Sequence, residues 1–184
     1  MAHPQQEAFM ESVKILMPQY FKGIKALDVG SLDINGSNKS LFTDCEYIGI
    51  DVAPGKNVDV VAIAHTYESP FQFDTIISSE CFEHDCYFPK TLRNIIKLLK
   101  PGGLFTFTAG GLGRGEHGTE AMGLTCAPGL AVNENMNADY YKNVLVRDLS
   151  LYLDLEVNFS EYTINYRGHI DAVYHDFQFW GIKR

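Results

Sequence analysis

KALDVGSLDINGSNKSLFTDCEYIGID, residues 25–51, is the stretch whose reading decides the fold. It opens on a short apolar run, KALDV, that stops at Gly30, and it closes on a second, EYIGID, that ends at Asp51. Brief apolar runs bounded by glycine and turn residues read as buried strands. The polar SLDINGSNKSLF between them reads as a loop carrying a short helix.

Further along, NVDVVAIA (57–64) predicts a third strand and FDTIISS (73–79) a fourth, both rich in β-branched residues. TLRNIIKLLKPGG (91–103) then places Leu92, Ile95, Ile96 and Leu99 on one helical stripe, which Pro101, Gly102 and Gly103 are expected to end. LFTFTAG (104–110) is a fifth strand. Strands separated by helical crossovers imply a mainly parallel sheet with right-handed connections and helices on both faces.

On the N-terminal side, Phe9, Val13, Leu16, Met17 and Tyr20 share one face of an amphipathic helix that Pro18 ends. On the C-terminal side, GGLGRGEHGTEAMGLTCAPGLAVNENMN (110–137) has no period and reads as a long loop, a feature that compact domains usually reserve for function. A helix is expected around Leu145, Leu149, Tyr152 and Leu153, with Asp139 as a candidate cap. EVNFSEYTINYR and AVYHDFQFWGIKR close the chain as two strands, joined by a short glycine-containing link, in an antiparallel pair.

The site chemistry starts from Asp28, Gly30 and Asp51. Gly30 allows a tight turn and close backbone approach to a ligand, and a carboxylate about 20 residues onward can accept hydrogen bonds from both hydroxyls of a ribose. The plainer reading makes both acids caps of turns. GSLDINGS departs from the GxGxxG pattern that seats a pyrophosphate, so a dinucleotide is disfavoured. A ligand with ribose and adenine, no phosphates and an amino-acid tail held by backbone N–H groups fits better, and S-adenosylmethionine is such a ligand.

ALDVGSLDINGS, YIGIDVAPGKNVDVV, FDTIISSECFEHD and LLKPGGLFTFTAG resemble, in order, the motifs of class I S-adenosylmethionine-dependent methyltransferases, especially small ones with an LDVGSLDxNGS first motif. The resemblance covers residues 25–119, and FQFWGIKR resembles the last strand of such proteins. It implies a three-layer Rossmann-like α/β fold with a seven-stranded, mainly parallel sheet and an antiparallel C-terminal hairpin, as one domain over residues 1–184. It also implies that Asp28, Gly30, Ser31 and Leu32 wrap the methionine part, that Asp51 binds the ribose, and that Val52 lies beside the adenine. Where the family often has an acid near the adenine amine this chain has Ile63, so that contact falls to the backbone near Ala64 and His65. Ser79 and Glu80 match positions between cofactor and acceptor.

Other candidates have dull alternatives. His117, in the long loop at the carboxyl edge of the sheet, is the candidate general base, against a surface loop histidine. Glu83 and His84 are as readily the start of a helix, with Glu83 and Asp85 favouring its positive end. Cys81, His84 and Cys86 match no common zinc spacing, so no metal is expected. Tyr140 and Tyr141 either face an acceptor or anchor a core, and Arg114 either binds an anionic acceptor or, by default, is a solvated charge.

Composition agrees. A net charge of -8 argues against nucleic acid as a partner, and 46% hydrophobic residues support a sizeable core. Four cysteines without CxxC spacing, and no secretion signal or membrane-length apolar run, predict a cytoplasmic protein with reduced thiols. The expected function is methyl transfer to a small-molecule acceptor. The alternatives are a cofactor-binding partner subunit without turnover and a nicotinamide-dependent reductase.

Overall fold

The computed structural model describes residues 4–123, 128–131, 133–168 and 175–184. Its strands are β1 (Lys25–Val29), β2 (Glu46–Asp51), β3 (Val60–Val61), β4 (Phe73–Ser79), β5 (Leu99–Gly110), β6 (Phe159–Gly168) and β7 (His175–Lys183). They form one sheet in the order β3-β2-β1-β4-β5-β7-β6. Pairings from β3 through β5 are parallel, and β7 runs antiparallel to both β5 and β6. This is the seven-stranded α/β sheet with an antiparallel end that the motifs imply. The link between β6 and β7, like Cys126, lies outside the described residues.

Side-chain alternation along the strands divides the core into two layers. Ile77, Leu104 and Trp180 face the helix α1 (Pro4–Leu16) and pack with its Phe9, Met10 and Val13. Ile76, Phe105, Phe107 and Phe179 face the opposite side, against Phe88, Leu92 and Ile95 of α2 (Phe88–Leu98) and Leu149 of α3 (Val146–Tyr152). A period of two puts successive residues on opposite faces, so one short run such as FDTIISS seeds both layers.

Several expectations are corrected. Leu16 is 62% exposed, and Met10 holds the buried place on α1. The third strand shrinks to Val60–Val61, because the backbone turns away after Ala62 donates to Asp51 O. Helix α2 ends at Leu98 rather than at KPGG; Leu99 is already extended, and Lys100–Gly103 form an irregularity between the pairs Phe73–Leu99 and Thr75–Leu104. Gly102 is left-handed at φ +73°, which glycine adopts without a Cβ penalty. Asp139 does not cap α3. Leu145 is its N-cap, and the Asp148 side chain accepts from Leu145 N at 3.1 Å. Glu156 to Asn158 belong to a one-turn helix, α4 (Leu155–Asn158), ahead of β6.

Candidate functional site

The strand order reverses between β1 and β4, and open α/β sheets bind ligands in the crevice at such a switch point, beyond the carboxyl ends of the strands. A cleft of about 440 Å³ occupies that place. Asp28, Gly30, Ser31, Leu32, Asp51, Val52, Ala64, Ser79 and Glu80 all line it. His65 does not: its ring lies against Tyr87, with centroids 4.2 Å apart, and Ala62, Ile63 and Ala64 form that wall.

Gly30 has φ +80°, and a Cβ there would stand 2.6 Å from the Cβ and Sγ of Cys81. The glycine is therefore required by the neighbouring β4 turn, whatever occupies the cleft. The N–H groups expected to hold a ligand carboxylate are already committed. Gly30 N and Ser31 N donate to Ile50 O at 2.9 and 3.1 Å, Leu32 N to Asp51 Oδ2 at 3.1 Å, and Asp33 N to Lys56 O at 3.0 Å. These bonds lock the first loop onto β2 and aim the Asp51 carboxylate, whose Oδ1 accepts from Ala53 N at 3.3 Å. Burial pushes the Asp51 carboxyl up, and the backbone donors pull it back.

Asp28 is buried and accepts from Asn38 Nδ2 at 3.1 Å and from the Tyr47 hydroxyl. Burial pushes its carboxyl up to about 6, against the two hydrogen bonds and with a smaller push from Asp51. An acid whose pKa is raised on folding holds its proton more tightly in the native state, so its contribution to stability falls as pH rises from about 4 to about 6. Raising the carboxyl from its ordinary value to about 6 corresponds to about 3 kcal/mol. Urea unfolding of wild type and Asp28→Asn across pH 4–7 should show the variant gaining relative stability by up to that amount over the window. A difference that does not vary with pH would mean that Asp28 does not titrate there.

Beside the cleft, a second group of side chains comes together from four segments. Glu80, just past β4, has a left-handed backbone at φ +52°, a strained state for a residue with a side chain and one that gathers at functional sites. Its buried carboxylate accepts from Gln6 Nε2 of α1 and, at 3.0 Å, from Arg114 Nη2. Arg114 also donates to Asp176 of β7. Its side chain is only 8% exposed, so the solvated-charge reading is corrected. Glu83 is not a helix-start residue; its Oε1 accepts from Gly110 N at 2.9 Å, at the end of β5. Asp85 takes the helix-end role, accepting from Tyr87 N at 2.7 Å and from Thr91 Oγ1.

His117 lies in this group rather than on the cleft wall. Its Nδ1 is 3.0 Å from Gly115 O, which assigns the proton to Nδ1 and leaves Nε2 as an acceptor. Nε2 is 4.0 Å from Glu80 Oε2 and 3.9 Å from Glu83 Oε1. The rings of His84 and Tyr141 pack edge-on against it, at centroid distances of 5.0 and 4.9 Å. His84 also lines the cleft, and burial holds its pKa down at about 3, so its imidazole is neutral. Burial likewise lowers His117. Tyr140 stands apart, beside Phe82 and Cys86.

Sequence reading missed Gln6, Asn38 and Asp176, and missed Leu130 and Met136, which the long loop brings to the cleft. A clue existed only for Asp176, an acid leading the apolar FQFW run.

A family model described as a methyltransferase domain matches residues 1–114. The chain belongs to this family of S-adenosylmethionine-dependent methyltransferases. Several solved structures share the fold. One is the 1,6-didemethyltoxoflavin-N1-methyltransferase of Burkholderia thailandensis, solved with 1,6-didemethyltoxoflavin and S-adenosylhomocysteine, at TM-score 0.66 and 17% identity over 97% of this chain and 80% of that one. The N-methyltransferase NodS of Bradyrhizobium japonicum matches at TM-score 0.57 and 13% identity, over 96% of this chain and 94% of its own. The N-terminal domain of EvdMO1, solved in the presence of S-adenosylhomocysteine and D-fucose, matches at TM-score 0.63 and 14% identity over 100% and 85%. A comparison with curated proteins gave no match. Among the described residues of this methyltransferase no helix is long and apolar enough to cross a membrane.

Proposed function

We propose that residues 1–184 form one cytoplasmic domain that moves the S-adenosylmethionine methyl group to a small hydroxyl- or amine-bearing metabolite. Asp51 takes the ribose hydroxyls. Val52, Ile63, Ala64 and the backbone leading to His65 flank the adenine, and Asp28, Gly30, Ser31 and Leu32 line the methionine end. Ser79 and Glu80 stand between cofactor and acceptor. The observation that carries the reading is the Asp51 carboxylate, aimed by Leu32 N and Ala53 N into a cleft at the switch point.

In the transfer, a lone pair on the acceptor bonds to the methyl carbon, the carbon–sulfur bond breaks, and its electron pair stays on sulfur, giving S-adenosylhomocysteine. The sulfonium already makes the methyl group reactive, so the protein's part is alignment, exclusion of water and removal of one proton. His117, whose Nε2 lies 4.0 Å from the cleft residue Glu80 and whose pKa burial lowers, is the proton acceptor. His117→Ala should lower turnover by about 10² to 10⁴-fold with little change in cofactor affinity. Full activity of that variant in a methylation assay would return His117 to a surface role.

The reading is tested by thermal unfolding with S-adenosylhomocysteine against NADH. A ligand at about 100 times its dissociation constant adds about 2.7 kcal/mol of stability. Stabilisation by NADH alone would replace methyl transfer with hydride transfer. Stabilisation by S-adenosylhomocysteine without turnover on any of a panel of hydroxylated and amino acceptors would make the chain a binding subunit.

A further inference from the structure

We infer that Glu83, His84 and His117 form a binding site for a divalent transition-metal ion at the acceptor end of the cleft. One ligand atom from each of the three lies within 4.8 Å of the others. Ligands on one ion at about 2.1 Å stand roughly 3.0–3.5 Å apart, so about an ångström of side-chain closure brings them into coordination. Two imidazoles and a carboxylate on adjoining positions are the donor set that zinc, manganese, cobalt and iron(II) favour over the all-oxygen sets of magnesium and calcium.

Two features point to a cation. Glu83 Oε2 and His84 Nδ1 are buried without a hydrogen-bond partner, although Glu83 has no exposed surface and His84 only 6%. Buried polar atoms of this kind are costly to leave unpaired. His117 donates from Nδ1 to the Gly115 carbonyl, the arrangement that orients a metal-binding histidine and raises its basicity. Its other nitrogen then turns a lone pair toward two carboxylates about 4 Å away, a repulsive arrangement that a cation between them reverses.

The sequence spacing of Cys81, His84 and Cys86 conceals this site, because its ligands come from the turn after β4 and from the long loop. Resting on the methyl-transfer reading, the ion has a further consequence. Because His84 also lines the cleft, an acceptor hydroxyl can complete the coordination, losing its proton to solvent more readily as its pKa falls. His117 would then act as a ligand rather than as the base, and the acceptor would be a hydroxylated compound.

The test is titration of chelator-treated full-length protein with cobalt(II), followed by visible absorption and calorimetry. The expected result is one equivalent bound with nitrogen and oxygen ligand-field bands, competed by zinc(II) but not by magnesium. His117→Ala should weaken binding by about 100-fold or more, since even outer contacts to a metal ligand are worth 10 to 100-fold. Its partly exposed loop position leaves the fold intact, which circular dichroism verifies. Glu83→Gln should behave alike, and Cys81→Ser should bind as wild type does. No stoichiometric binding, binding unchanged in His117→Ala, or a thiolate charge-transfer band would overturn the site. Loss of turnover in His117→Ala without metal binding by wild type would sink the metal while leaving the general-base reading in place.

Discussion

Asp51→Ala should weaken S-adenosylhomocysteine binding by about 100-fold, measured by isothermal calorimetry. A carboxylate that accepts from two ribose hydroxyls makes two charge-assisted hydrogen bonds, each worth about 1.5–3 kcal/mol, and the loss of about 3 kcal/mol is roughly two orders of magnitude in affinity. The same side chain anchors Leu32 N and Ala53 N, so part of the loss comes through the first loop. Asp51→Asn separates the two contributions. It keeps the shape and one acceptor, and should restore about tenfold of the affinity. Unchanged binding in the alanine variant, with the fold intact, would remove the ribose assignment.

Arg114→Ala should cost about 3–5 kcal/mol of folding stability, because it leaves the buried Glu80 and Asp176 carboxylates without their shared guanidinium. The pair itself is weak evidence of net stabilisation, since bringing three charges out of water carries a large desolvation cost. What the alanine exposes is that cost without its compensation. A double variant, Arg114→Ala with Asp176→Asn, should therefore be more stable than Arg114→Ala alone. Additive losses in chemical unfolding would show that the two side chains do not interact.

Both predictions rest on residues of different legibility. Asp51 was readable because its strand, its glycine-punctuated partner strand and the spacing between them are local features of one 27-residue stretch. Arg114 read as an ordinary solvated charge, since nothing in GLGRGEH announces an acid 62 residues later. The first loop was readable in position but not in its bonding. The sequence leaves its N–H groups open to a ligand, whereas in the fold β2 takes those of Gly30 and Ser31. Gly30 marks a place of close approach in the sequence, and the atoms that approach belong to Cys81.

The amino-acid sequence alone determined the strands, their mainly parallel arrangement, the final antiparallel pair and the place of the cleft, because apolar periodicity and glycine stops act over a few residues and parallel crossovers have one favoured hand. Tertiary structure decided which side chains share a buried environment. Glu80, Glu83, Arg114, His117, Tyr141 and Asp176 meet only because β4, β5 and β7 lie side by side in the sheet and the loop after β5 folds back across their ends. Charge neutralisation and proton affinity depend on distance and solvent access in space, and neither follows from spacing along the chain.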